Sequence, residues 1–205
     1  MAPSVPSFRQ VFGIPPSTAS VHDSTLVIID AQNEYADGTQ LRVAGIAESR
    51  KVVAALLQAY RRGGQAATTS NNIVHVVQDN PAGAPVFARG TALADELAEL
   101  TPQAGEAVVH KTQPGSFTGT DLQAHLEAAG HKKVVLVGYM AHVCISTTAR
   151  QAAERGYDVL VVEDAVGTRD IPGVAAAELN RVALAEVADA FGTVVKSSDI
   201  IGAAA

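Results

Sequence analysis

The sequence predicts an α/β protein with a six-stranded parallel sheet and helices on both of its faces. Three observations carry that prediction. Short apolar, β-branched runs alternate six times with segments whose apolar residues recur at helical spacing. Each run is bounded by Gly, Pro or Asp, residues that end a strand. The first run, TLVIID, is apolar throughout rather than every second residue, as a strand buried on both faces is. Right-handed crossovers then gather the carboxyl ends of the strands along one edge, where ligands bind in such folds.

Taken in order, residues 1–22 hold four of the nine prolines and no clear periodicity, so they read as an arm laid over a domain spanning 23–205. Thr25 to Asp30 is the first strand and ends in a carboxylate. From Gly45 to Arg62 a helix is set by Ile46, Val52, Val53, Leu56, Leu57 and Tyr60, and Gly63-Gly64 stops it. QAATTSNN (65–72) is a polar connection to a strand at Ile73–Gln78, and DNPAGAP is a loop. Leu93, Leu97 and Leu100 share one face of a helix expected from Thr91 to Pro102. A strand at Ala107–His110 runs into Lys111 and the turn-rich TQPGSFTGT, after which Leu122, Leu126 and the closing Gly130 mark a helix. Strand 133–137, helix 143–155, strand 158–162, helix 173–190 and strand 193–196 complete the reading.

Composition bounds the function. A chain of 205 residues supports one sizeable core, and 47% hydrophobic with 18% charged residues describes an ordinary globular protein. A net charge of -6 with no basic cluster argues against a nucleic-acid partner. One cysteine makes neither an internal disulfide nor a cysteine-based zinc site, which suits a reducing compartment. No apolar stretch reaches membrane-spanning length, and the N-terminal residues lack a continuous signal-peptide core, so we expect no membrane partner and a cytoplasmic location. No G-x-G-x-x-G follows the first strand, which argues against a dinucleotide.

The lone cysteine, Cys144, lies in VVLVGYMAHVCISTTA, where a buried strand breaks at Gly138 and a helix opens. A lone cysteine is as a rule a small core hydrophobe. At a helix N-terminus, unpaired amides favour the thiolate and hold a developing oxyanion, which is a nucleophile's position. Asp30 and Lys111 end two other strands, and a doubly wound sheet brings such ends together. A thiol attacking a carbonyl needs a base to take its proton and a cation to hold the anions, and these two residues supply both. A sharp turn at Gly138-Tyr139-Met140-Ala141 aims the amides of Met140 and Cys144 at one point as an oxyanion hole.

IIDAQNEY around Asp30, HKTQPGSF around Lys111 and VGYMAHVCISTTARQAAERGYDVLVVEDA around Cys144 resemble the three signature blocks of the isochorismatase-like superfamily, the cysteine hydrolases. The resemblance spans roughly residues 24–200, in the family's chain order Asp, Lys, Cys. It implies a Rossmann-like, three-layer α/β/α isochorismatase-like fold, an Asp30/Lys111/Cys144 triad, a cis peptide at Tyr139-Met140 and a homo-oligomer, dimer or tetramer. Nicotinamidases of that superfamily carry a metal on an Asp-x-His motif and a further His. Between Ala36 and Gly90 this chain offers only His75, inside a strand, so no metal and no cofactor are expected.

Two reactions remain open. Retention of Cys144 favours a thioester route and an amide-type C–N bond in a small-molecule substrate. The blocks GAPVF, GYMAHVC and ED-x-x-G-x-RDIPG resemble the branch for which isochorismate, cleaved at its vinyl ether to a dihydroxybenzoate product and pyruvate, has been proposed. Tyr35, Phe117, Tyr139 and Ile145 offer an apolar and aromatic lining for a small ring in either case, and His142 lies in the turn before the thiol. A non-catalytic binding protein on the same fold is the third alternative.

Overall fold

The computed structural model describes residues 5–64 and 72–202. Six strands, β1 (Ser24–Ile29), β2 (Ile73–Gln78), β3 (Ala107–Lys111), β4 (Lys133–Tyr139), β5 (Asp158–Gly167) and β6 (Thr193–Val195), form one sheet in the order β3-β2-β1-β4-β5-β6. Every neighbouring pair is parallel. The chain winds outward from β1 to β3, returns to the centre at β4 and winds the other way, so the topological switch lies between β1 and β4. Asp30 leaves the sheet at that switch and Cys144 follows it, which is where open α/β sheets bind ligands.

Successive residues of β1 divide between the two faces. Leu26 and Ile28 join a cluster with Leu56, Leu57 and Tyr60 of α3 (Ile46–Gly64) and Ile200 of α7 (Ser197–Ile201). Val27 and Ile29 join the opposite cluster, with Leu122 and Leu126 of α4 (Leu122–Ala129), Ala149 and Ala152 of α5 (Ser146–Glu154), and Ala183 and Val187 of α6 (Ala176–Ala190). The sheet is thus buried on both faces, in three layers. Two shorter helices, α1 (Phe8–Val11) in the N-terminal segment and α2 (Asn33–Ala36) after β1, lack the periodicity that marks the longer ones.

The structure departs from the sequence-based reading in four places. The helix expected over 91–102 is a series of turns with a single 3-10 turn at Ala98–Leu100. Its backbone is engaged elsewhere: the carbonyls of Leu93 and Asp95 accept the amides of Glu34 and Asn33, and the Leu97 amide donates to Ala31. Leu97 and Leu100 are fully buried, whereas Leu93 stands exposed. The leucine spacing therefore anchors a clamp over the residues after Asp30 rather than a helix. β4 continues through Gly138 to Tyr139, and β5 runs on to Gly167, pairing Val166 and Gly167 with Gly138 and Tyr139 beyond an irregularity in register. The exposed pair Glu163-Asp164 gave that strand the look of an earlier end. α6 begins at Ala176, not 173, because Gly173 sits in a left-handed turn at φ 85° and the Asp170 carboxylate accepts the Ala176 amide at 2.7 Å. The connection read over 65–72 lies outside the described residues except for Asn72.

Gly138 is required by geometry. Its φ is 110°, and a Cβ there would stand 2.0 Å from the Ile29 carbonyl oxygen. Gly138→Ala is expected to cost at least about 2 kcal/mol, read as a lower urea midpoint, and to disturb the site, since Ile29 precedes Asp30.

Candidate active site

The site is built on three strand ends. Asp30 follows β1 in the left-handed region, at φ 50°, with its amide donating to Val76 at 2.8 Å and no exposed surface. A non-glycine residue held there is strained, and such strain concentrates at functional positions. Lys111, the last residue of β3, reaches past the end of β2, and its Nζ lies 2.8 Å from Asp30 Oδ2 with both side chains fully buried. The same ammonium donates to Gln78 Oε1 at 2.8 Å, to the Gln113 carbonyl at 3.1 Å and to Cys144 Sγ at 3.5 Å. The ammonium thus has Asp30, Gln78, the Gln113 carbonyl and Cys144 around it, and Asp30 has both that cation and the thiol within reach of its carboxylate.

Cys144 lies in a π turn, Ala141–Ile145, that feeds directly into α5. Such widened turns recur at functional sites. The Met140 carbonyl accepts the amides of Val143 at 3.0 Å and Ile145 at 3.2 Å, passing over the Cys144 amide between them. The Tyr139-Met140 peptide is cis. Cys144 is buried, with 6% of its surface exposed.

Electrostatics corrects one expectation. The helix N-terminus was expected to favour the thiolate; instead burial, with the Asp30 charge adding to it and Lys111 opposing, pushes the Cys144 thiol up to about 12. Burial also raises the Asp30 carboxyl above its ordinary value against the pull of Lys111. Thiol and carboxyl share an enclosed space with one cation, so the resting site holds a protonated thiol beside Asp30.

The other residues singled out from the sequence divide. Tyr35 is buried, and the charges of Asp30 and Cys144 add to burial in raising its phenol, which places it beside the pair. Phe87, held at φ 51° with its amide bound to Glu34 Oε2 at 3.1 Å, packs edge-on against Tyr35 at 5.1 Å. His142 is half-buried with Nδ1 2.6 Å from Thr168 Oγ1, and burial together with the Arg169 guanidinium lowers its pKa, so the ring stays neutral near pH 7. Tyr139 and Phe117 have packing partners of their own. The Tyr139 hydroxyl meets Ser49 Oγ at 2.8 Å with its ring fully buried, and Phe117 lies under the Arg155 guanidinium at 4.5 Å. Ile145 is 1% exposed and belongs to the core cluster around α5. His75 is a buried sheet histidine with both ring nitrogens engaged, Nδ1 at 2.8 Å from Glu96 and Nε2 at 3.1 Å from Glu106. Among the described residues no group of three or more His, Cys, Asp or Glu is arranged to hold a metal ion.

Two residues escaped the sequence reading. Gln78 ends β2 between Asp30 and Lys111, and its Oε1 orients the ammonium; its place at a strand end, like theirs, was the available signal. Arg169 has a buried Nε with no acceptor, an Nη1 bound only to the Asp170 carbonyl at 2.8 Å, and no carboxylate partner among the described residues. Its place in the ED-x-x-G-x-RDIPG block was the available signal.

Known proteins resemble this chain in sequence and in fold. Residues 24–199 match the model of the Isochorismatase domain. The chain is 61% identical over 194 residues to a secreted isochorismatase effector of Verticillium dahliae, covering 95% of this chain and 98% of that one. It is 39% identical to an isochorismatase-like protein of Emericella nidulans, over 96% and 86% of the two chains. A crystal structure of an isochorismatase from Pseudomonas putida superposes with a TM-score of 0.89 at 31% identity, covering 96% of this chain and all of that one.

Proposed function

We propose a reaction for this chain, which belongs to the isochorismatase family and is a hydrolase: cysteine-dependent hydrolysis of an amide-type C–N bond in a small molecule. The observation that carries this reading is the single ammonium of Lys111, 2.8 Å from Asp30 Oδ2 and 3.5 Å from Cys144 Sγ. Asp30 takes the thiol proton as Sγ bonds to the carbonyl carbon, and Lys111 holds the negative charge as it moves from carboxylate to sulfur. The amides of Met140 and Cys144 face the oxyanion, a contribution of about 3 to 4 kcal/mol per donor in comparable sites. The tetrahedral species collapses with cleavage of the C–N bond, and Asp30 returns the proton to the leaving nitrogen. Water then attacks the thioester, Asp30 accepts its proton, and the acid product leaves as the proton goes back to Sγ. A relative 27% identical over 94% of this chain is named a ureidoacrylate amidohydrolase, consistent with C–N chemistry on this framework.

A second reading rests on a different observation. The 61% identical relative bears the name isochorismatase, and the raised carboxyl of Asp30 also suits a general acid. In that reaction Asp30 protonates the vinyl ether at carbon, water adds to the resulting cation, and collapse releases pyruvate and a dihydroxylated ring acid. Arg169 would meet an acidic group of the substrate in either case.

A pyruvate-coupled assay on isochorismate, run beside ammonia release from small ureido and amide acids, separates the readings. Turnover in the second assay alone supports the thioester route, and turnover in the first alone supports acid catalysis by Asp30. Arg169→Met is expected to raise KM about tenfold or more in whichever assay responds, with kcat little changed. Inactivity in both assays overturns both readings of the substrate.

A further inference from the structure

Five of the eight large hydrophobic side chains that stand exposed among the described residues fall within ten positions: Val5 (90%), Phe8 (54%), Val11 (67%), Phe12 (65%) and Ile14 (46%). This segment is fixed rather than loose. Ser7 and Gln10 cap α1 reciprocally, the Ile14 amide donates to the Arg9 carbonyl, and the Phe8 and Phe12 rings pack at a 43° tilt with centroids 4.7 Å apart. It is tied to the domain by the Phe8 amide on Asp189 Oδ1 at 2.9 Å, and by Ser17 on Thr193 and Asp158. Its own hydrogen bonds therefore leave the apolar residues outward, and exposed apolar side chains clustered in this way mark a contact surface.

The same face carries a cavity to match. Between the arm, the end of α6 and the edge strand β6 lies a cleft of about 610 Å³, walled by Ile14, Pro16, Ala185, Ala188 and Val194 among others. Through Ala185, Ala188 and Val194 it continues into a second cleft of about 540 Å³ that ends at Glu163 and Arg181. Neither of those charged residues has an ion-pair partner among the described residues. β6 is the outer strand of the sheet, and exposed edges are ordinarily covered.

We propose that this face joins two copies of the chain about a two-fold axis, with the Phe8 and Phe12 rings of each copy seated in the α6–β6 cleft of the other. Three arguments favour a second copy over other occupants. A two-fold contact needs knob and hole on one surface, and this face has both. The five exposed side chains offer on the order of 500 Å² per copy, hence about 1,000 Å² across the pair, the threshold of a specific interface. Finally, Arg9 and Arg181 lie among Glu163, Asp164 and Asp189, a mixed field that does not draw the chain to an anionic bilayer.

Sedimentation velocity of the full chain over about 1 to 100 µM tests this, with the double variant Phe8→Ser/Phe12→Ser beside the wild type. The expected result is a self-associating wild type and a double variant whose contact is weakened about 100-fold or more, any larger oligomer stepping down by that one interface. Val11→Asp, a single change outside the Ser7/Gln10 cap, gives the same readout if the double variant does not fold. A wild type that stays monomeric throughout, or variants that associate as the wild type does, overturns the proposal. So does a monomer that floats with phosphatidylcholine–phosphatidylserine vesicles.

Discussion

Cys144→Ala is expected to lower kcat/KM for C–N hydrolysis by about 10⁴-fold or more, the scale on which removal of a nucleophile acts when base and oxyanion donors remain. The fold should hold, because deleting one sulfur leaves a cavity smaller than a methylene-rich side chain would. Asp30, Lys111 and the Met140 amide stay in place, so the loss reports the sulfur alone. Pyruvate release from isochorismate gives the contrast. If acid catalysis by Asp30 is the reaction, Cys144→Ala keeps that activity within a few-fold, and the thioester route is excluded for that substrate.

The second large effect is on stability. Lys111→Met is expected to cost about 3 to 5 kcal/mol near neutral pH, because it leaves Asp30 buried without its counter-ion. For a chain of this size that corresponds to a fall in melting temperature of roughly 10 °C. The sign with pH follows from the direction of the Asp30 shift. Burial already raises this carboxyl in the folded protein, so the native state binds more protons than the unfolded chain between the ordinary carboxylate value and the raised one. Stability therefore falls as pH rises through that window and is level above it. Without Lys111 the carboxyl rises further and the window extends upward, so the deficit is least in acid and full above the folded-state value. Adding Asp30→Asn to Lys111→Met should recover part of the loss by removing the charge. Thermal melts of the three proteins from pH 4 to about pH 8 check both statements, and a pH-independent deficit in Lys111→Met would refute the account of its origin.

How far the sequence discloses this arrangement depends on what each residue is doing. TLVIID and KVVLV are read correctly as strands because burial on both faces leaves a continuous apolar run, and the alternation with amphipathic helices dictates a parallel sheet. That topology alone carries Asp30, Lys111 and Cys144 to one edge, so three residues 81 and 33 positions apart (111 − 30 and 144 − 111) are brought together by strand order. The failures have a common cause. Leu93, Leu97 and Leu100 keep helical spacing, yet the backbone there bonds to residues 31–34, a tertiary pairing that no local pattern encodes. The thiol's raised pKa depends on the depth of the site and on the Asp30 charge, neither of which a helix N-terminus reveals. The contacts of Tyr139 with Ser49 and of Phe117 with Arg155 are likewise tertiary and have no local signal.

The central claim is that Asp30, Lys111 and Cys144 act as one electrostatic unit, with the thiol protonated at rest because burial, and then the Asp30 charge beside it, disfavour the thiolate. The rate of Cys144 alkylation by iodoacetamide against pH, followed by intact mass in wild type and Asp30→Asn, tests it without knowledge of the substrate. The wild-type rate should climb through pH 10 without a plateau, in keeping with a thiol at about 12. Asp30→Asn should react faster near neutral pH and level off lower, since Lys111 then acts on the sulfur unopposed. A wild-type plateau near pH 8, or an Asp30→Asn profile that overlays the wild type, would contradict the coupling.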